Sequence, residues 1–275
     1  MLDTITIGSL TLSAAQPQAS GNAKPPILFI PGYLATAWAF ECYLPFFAER
    51  GYPGFALNLR GRAGSALPPG SALGEVSLAD FVTDARDAAS WLEQRFGRPI
   101  VVGHSMGALI AQKLGEEGLA RALVLLAPVP PRGISMLSGR LLRRQILNLP
   151  VILRSKTLVP RWSDARDLVL NCVPESERRT IFSQFVPDSG RVGREMSFGS
   201  LVVDPARLRS HDCKVLVVTS DDDRLIPSRV AQRVAAKYHA PVYMARGHGH
   251  FLVREPGWSE PASFIAGWLQ REVLG

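Results

Sequence analysis

Short apolar runs alternate with longer stretches of helical spacing along most of the chain. Ile27 to Ile30 is an apolar run ended by Pro31-Gly32, and Ala37 to Arg50 follows with Trp38, Phe40, Leu44 and Phe47 at helical spacing before Gly51 stops it. Phe55 to Leu59 and a breaker-rich loop lead into Ser77 to Phe96, where Leu78, Phe81, Val82, Ala85, Ala88, Ala89 and Leu92 share one face. Next come the strand Ile100 to Val102, a helix from Ser105 to about Glu117 and the apolar Ala122 to Ala127. The rhythm resumes late in the chain with the strand Val215 to Thr219, a helix from Ser228 to Tyr238, the short strand Val242 to Ala245 and a helix from Trp258 to Leu274. Strands that are apolar on both faces, separated by amphipathic helices, predict an α/β chain with a mostly parallel central sheet flanked by helices. At the N-terminus, Ile5, Ile7, Leu10 and Leu12 alternate as a strand pair does, without the basic flank and continuous apolar stretch of a signal peptide.

One segment breaks this rhythm. Residues 132–209 hold no good strand candidate and read as several short helices punctuated by Pro150, Pro160, Pro174, Pro187 and Gly193. The predicted organisation is a core of residues 1–131 and 210–275 with an inserted helical cap at residues 132–209. Charge sharpens that division. The 275 residues carry a net +7, and the segment alone has 14 Lys+Arg against 7 Asp+Glu, so all of the excess lies there. A core in charge balance, with no helix-turn-helix, RNA-binding signature or zinc ligand set, argues against a nucleic-acid partner. Within the segment, Arg140, Arg143, Arg144, Arg154, Lys156 and Arg161 are either a solvated helix face or an attraction for an anionic substrate or membrane surface. Its apolar residues, among them Met136, Leu141, Leu142, Ile146, Leu149, Val151, Ile152, Leu153, Trp162, Phe182 and Phe185, are either packing against the core or the wall of an acyl groove.

With 47% hydrophobic and 20% charged residues, the chain has the make-up of a globular protein, and no apolar run approaches the roughly 20 residues of a membrane span. Cys42, Cys172 and Cys213 are too widely spaced for a metal site and read as free thiols, so the expected location is the cytoplasm.

Candidate chemistry concentrates at strand ends. Gly103-His104-Ser105-Met106-Gly107 is a G-x-S-x-G placed where a buried strand runs into a helix. A nucleophile thrust out on so tight a turn needs glycines beside it, and the helix start supplies a positive dipole end and free N–H groups. A serine hydroxyl also needs a base and a group that orients the base. Asp221, Asp222 and Asp223 follow one later strand, and His248 and His250 follow the next, where α/β sheets place their ligands. His104 reads as a buried structural residue of the turn, and His211 and His239 carry no signal.

These motifs together make the chain resemble the α/β-hydrolase fold superfamily, with serine esterases and lysophospholipases as the nearest kind. The resemblance rests on Pro31-Gly32-Tyr33 in place of the usual His-Gly-x, on Arg60-Gly61-Arg62-Ala63-Gly64-Ser65 for R-G-x-G-x-S, on the serine turn, on Asp223 four residues before Pro227, and on Gly247-His248-Gly249-His250 followed by Glu255-Pro256. Ala63 and Ser220 stand where relatives carry glycine. The resemblance implies Ser105 as nucleophile, His250 as base and Asp223 as its carboxylate partner, with an oxyanion hole of the Tyr33 and Met106 N–H groups. It implies no cofactor and no metal. Ser105 argues against the epoxide hydrolases and haloalkane dehalogenases of the fold, which carry an aspartate there. The expected function is cleavage of a carboxylic ester with an apolar acyl or alkyl part, on a small-molecule substrate that is anionic or lipid-like if the basic stretch takes part. C–C bond hydrolysis, lactone opening and perhydrolysis on the same residues remain alternatives, as does a non-catalytic ligand-binding member.

Overall fold

The computed structural model describes residues 2–18, 24–136 and 156–275. Eight strands form the main sheet in the order β1-β2-β4-β3-β5-β6-β9-β10. Its elements run β1 (Asp3–Ile7), β2 (Leu10–Ala15), β3 (Ile27–Ile30), α1 (Tyr43–Ala48), β4 (Gly54–Asn58), α2 (Leu78–Phe96), β5 (Ile100–His104), α3 (Met106–Glu116) and β6 (Ala122–Leu126). After the intervening segment come β9 (Lys214–Ser220), α8 (Ser228–Tyr238), β10 (Val242–Ala245) and α9 (Ser259–Leu269). β1 and β2 form the expected antiparallel pair, and β2 also runs antiparallel to β4. Every other neighbouring pair is parallel.

The alternation of strand side chains divides the core in two. Leu28, Ile30, Val101, Leu123, Leu125 and Val217 point to the side covered by α2, α3 and α8. Ile27, Phe29, Val102, Val124, Leu126 and Val218 point to the side covered by α1 and α9. All of these strand residues are fully buried, which is why the central runs carry no polar alternation. The α2 helix starts where the sequence implies, because Ser77 and Asp80 form a reciprocal capping box.

Two expectations change. The predicted single helix over Ala37 to Arg50 is a 3₁₀ turn (Ala37–Phe40) followed by α1, and the break at Glu41-Cys42 turns the apolar face of both pieces onto Phe29. The segment before β9 also contains strands. β7 (Thr157–Leu158) pairs antiparallel with β8 (Asp188–Ser189), a ladder two residues long and too short to leave an apolar periodicity. Around it lie α4 (Trp162–Asp164), α5 (Glu175–Phe182), α6 (Gly190–Ser197) and α7 (Pro205–Ser210). Arg140, Arg143, Arg144 and Arg154, together with the apolar residues from Leu141 to Leu153, lie outside the described residues. Lys156 and Arg161 are exposed.

Candidate active site

The sharpest bend in the sheet end is at Ser105, which joins β5 to α3 with φ 55° and ψ −114°, a state that carries roughly 1–3 kcal/mol of strain. The flanking glycines make it possible. A Cβ on Gly103 would sit 2.3 Å from the Gly107 carbonyl oxygen, and one on Gly107 would sit 2.0 Å from that of Ile30. The first turn of α3 therefore lies directly against the end of β3, and the loop that follows β3 passes beside Ser105. The Ser105 backbone is fixed on both sides, its N–H donating to Leu126 O at 2.9 Å and its carbonyl accepting from Val129 N–H at 3.1 Å.

Three of the predicted side chains meet. Ser105 Oγ lies 3.0 Å from His250 Nε2, and His250 Nδ1 lies 2.9 Å from Asp223 Oδ2. The other Asp223 oxygen accepts the N–H groups of Leu225 and Ile226 at 2.8 and 2.7 Å, so the carboxylate is held from behind while it faces the imidazole. All three residues are buried. The neighbouring aspartates do other work. Asp221 accepts from Gly247 N–H, and Asp222 N–H donates to His248 O, so both brace the turn that carries the histidines.

His248 and His104 support His250 without facing Ser105. His248 Nδ1 and the Gly249 N–H share Glu255 Oε2 at 3.1 and 2.7 Å, which anchors the residues just before His250. Ser220, the departure from glycine, donates from Oγ to Gly249 O at 2.6 Å and ties the end of β9 to the same loop. His104 Nε2–H donates to the His250 carbonyl at 2.8 Å, leaving its Nδ1 without a partner. Burial, and then the neighbouring His250, push the His104 imidazole down to about 3, so the ring is neutral.

Of the two expected N–H donors, one adjoins Ser105 in the chain and the other lies in the loop that passes beside it. Met106 is the first residue of α3, where helix geometry leaves N–H groups without an internal partner. Tyr33 is in the loop after β3, and a Cβ on its neighbour Gly32 would sit 3.3 Å from Ser105 Cβ. The loop around Tyr33 is held by groups that the sequence does not single out. The fully buried Arg62 donates from Nη1 to Gly32 O and Ala35 O at 3.1 and 2.7 Å and from Nη2 to Asp188 Oδ2 at 2.5 Å. Asp188 Oδ2 also accepts the Leu34 N–H at 2.7 Å. The Tyr33 hydroxyl donates to Ser189 O at 2.6 Å, and burial followed by the charge of Asp188 pushes that phenol far above the usual range. Arg62 is visible in the sequence only as the variable position of a loop motif, and Asp188 only as a polar residue after Pro187.

A cavity of about 230 Å³ opens onto Ser105 and Tyr33. Its walls come from both parts of the chain, with Val129, Leu225 and Ile226 facing Leu158, Leu168, Phe185 and Met196. Of the described lining residues only Arg161 and Asp164 carry a charge. Among the described residues there is no group of His, Cys, Asp and Glu able to hold a metal ion, and no helix long and apolar enough to cross a membrane. Cys42, Cys172 and Cys213 are free.

The family model of the alpha/beta hydrolase family matches residues 27–265. The chain belongs to that family. Solved structures agree on the fold of this α/β hydrolase. It is similar to a soluble variant of monoglyceride lipase from Saccharomyces cerevisiae, with a TM-score of 0.72 at 11% identity over 99% of this chain and 96% of that one. It is also similar to 2-hydroxy-6-oxo-6-phenylhexa-2,4-dienoate hydrolase from Rhodococcus sp. strain RHA1, at 0.69 and 20% identity over 98% and 100% of the two chains. MenH from S. aureus gives 0.72 and 16% identity over 95% and 98%. No curated protein matches the chain in sequence.

Proposed function

We propose that the protein is a serine hydrolase that cleaves a carboxylic ester with an apolar acyl or alkyl part. The observation that carries this reading is the continuous hydrogen-bonded line Asp223–His250–Ser105, which ends at Ser105 in the wall of a mostly apolar cavity. Ser105 Oγ attacks the ester carbon and its proton passes to His250 Nε2. Asp223 holds the imidazolium, and the Met106 and Tyr33 N–H groups receive the charge that develops on the carbonyl oxygen. His250 returns the proton to the leaving alkoxide, and a water activated by the same imidazole then releases the acid from the acyl-enzyme. Residues 132–209 act as a cap over a core of residues 1–131 and 210–275, and the cap residues in the cavity wall receive the apolar part of the substrate. The kinship in fold with a monoglyceride lipase supports an acyl substrate.

The test is Ser105→Ala with p-nitrophenyl esters of increasing acyl length and a fluorophosphonate probe. The variant is expected to lose labelling and to fall in kcat by about 10⁴-fold or more. Ester turnover by Ser105→Ala at the parent rate would overturn the reading.

A further inference from the structure

Five backbone groups around the Tyr33 N–H on its loop are already bonded. Gly32 O accepts from Ala35 N–H and from Arg62, Leu34 N–H goes to Asp188, Leu34 O accepts from Val186 N–H at 3.0 Å, and Ala35 O accepts from Arg62. Leu34 itself is held at φ 63°, a left-handed conformation that residues other than glycine adopt uncommonly. The constraint is the Asp188 carboxylate, whose side chain, like that of Arg62, has no solvent exposure. Its second oxygen accepts the N–H of Ser189 at 2.8 Å, and Ser189 Oγ donates in turn to Gly74 O and Val76 O. One buried ion pair thus joins three separate pieces of chain: the loop after β3, the loop after β4, and β8 of the segment between β6 and β9.

We propose that Arg62 and Asp188 are positioning residues for the oxyanion hole, and that the segment before β9 completes the active site by supplying Asp188. The proposal rests on the serine-hydrolase reading, because it assigns the Tyr33 N–H to the oxyanion. A buried ion pair is weak as a source of stability, since the desolvation of both charges offsets their attraction. What it supplies here is geometry, because a guanidinium fork fixes two carbonyls and a carboxylate in one plane. Without Asp188 the Leu34 peptide is free to leave its strained state, and rotation of that unit turns the adjoining Tyr33 N–H away from Ser105. The hole then exists only while β8 is docked.

The experiment compares Asp188→Asn with Asp84→Asn. Asp84 is buried and belongs to a second ion pair, with Arg60 at 2.6 Å, whose hydrogen bonds run to Asp80 and the Arg60 backbone and not to the Tyr33 loop. The variants are assayed for kcat and KM on a p-nitrophenyl ester and for binding of a trifluoromethyl ketone of the same acyl length. That ketone adds Ser105 Oγ to its carbonyl carbon, passes the serine proton to His250 and leaves an alkoxide in the hole. Asp188→Asn is expected to lower kcat by about 10- to 100-fold with KM within threefold, short of the 10²–10³ seen when a donor is deleted. Ketone affinity falls by the same factor, and affinity for the product acid does not. Asp84→Asn loses thermal stability with kcat within threefold. If Asp188→Asn does not fold, Arg62→Lys replaces it, because an ammonium keeps the charge but cannot span all three oxygens, and a fall of about tenfold in kcat is expected. Unchanged kcat and ketone affinity in the folded variant, or an equal loss of kcat in Asp84→Asn, overturns the proposal. Loss of activity in Ser105→Ala with no effect at Asp188 removes this inference alone, whereas an active Ser105→Ala removes the serine-hydrolase reading and this inference with it.

Discussion

The two walls beside Ser105 are built on different principles. On the histidine side, the proposed functional groups are side chains: Asp223 and His250 project from the loops that follow β9 and β10, two neighbouring parallel strands, and meet at 2.9 Å. The other proposed groups are the main-chain N–H donors of Met106 and Tyr33, which any residue type except proline supplies. A side chain is aimed by its own backbone and one or two hydrogen bonds. A peptide N–H is aimed only by fixing the dihedrals around it, so the second wall needs Gly107 for close approach and the buried Arg62–Asp188 pair for restraint. Chemistry carried by side chains shows in residue type, whereas chemistry carried by backbone depends on restraining residues that no local motif singles out.

The largest effect that tests this contrast is expected at Asp223. Asp223→Asn keeps the shape and the two N–H contacts but presents an amide to His250, which favours the wrong tautomer of the imidazole. A fall of about 10³- to 10⁴-fold in kcat is expected on a p-nitrophenyl ester, with the fold intact by circular dichroism. A loss under tenfold would mean that the histidine wall does not depend on its carboxylate. Next comes Gly107→Ala, which acts on both walls at once. Its Cβ would meet the Ile30 carbonyl at 2.0 Å, and the atom met is backbone, so β3 and α3 must separate. A destabilisation of about 3 kcal/mol is expected in urea unfolding. A variant within 1 kcal/mol of the parent would show that the contact between β3 and α3 yields easily.

How far the sequence reveals each wall follows the same division. The alternation of strands and helices, the serine turn and a histidine after the last strand are readable, because strand ends, glycines and histidines each leave a mark in residue type, while the choice of His250 over His248 comes from the resemblance. The choice of Asp223 among three aspartates needed the spacing to Pro227, since a carboxylate in a turn looks the same whether it faces solvent or an imidazole. Asp188 was not readable at all. It follows Pro187 in a polar stretch and joins a ladder of two residues, too short for alternation to appear, and its partner Arg62 lies 126 residues away. The same shortness hid β7. Ser220 registered only as a departure from glycine, although its hydroxyl is what ties β9 to the histidine loop.

That hydroxyl makes a smaller test. Ser220→Ala removes the donor to Gly249 O and leaves a buried carbonyl unpaired, for an expected loss of about 1–2 kcal/mol in unfolding free energy. If stability and kcat are both unchanged, the His250 loop is held by Glu255 and His104 without help from β9.

The remaining test is a dependence on pH. His104 sits between the walls, donating from Nε2 to the backbone of His250 while its bare Nδ1 faces Gly32. A second proton would place an N–H at Nδ1 with no acceptor and a charge in the core, which is why burial holds its pKa at about 3. In the unfolded chain the same ring titrates near 6.5. Between those two values the unfolded state binds a proton that the folded state refuses, so the stability contributed by neutral His104 is complete above about pH 6.5 and declines as pH falls toward 3. The slope from one such proton is about 1.4 kcal/mol per pH unit within the window. Urea unfolding of the parent and of His104→Gln at pH 7, 6, 5 and 4.5 isolates it, because all other titrating groups are common to both chains. The variant is less stable at pH 7 but loses stability less steeply on acidification, by about one proton's slope. Parallel curves would show that the ring takes up its proton in the folded state, and that the space between Gly32 and His104 accommodates a charge.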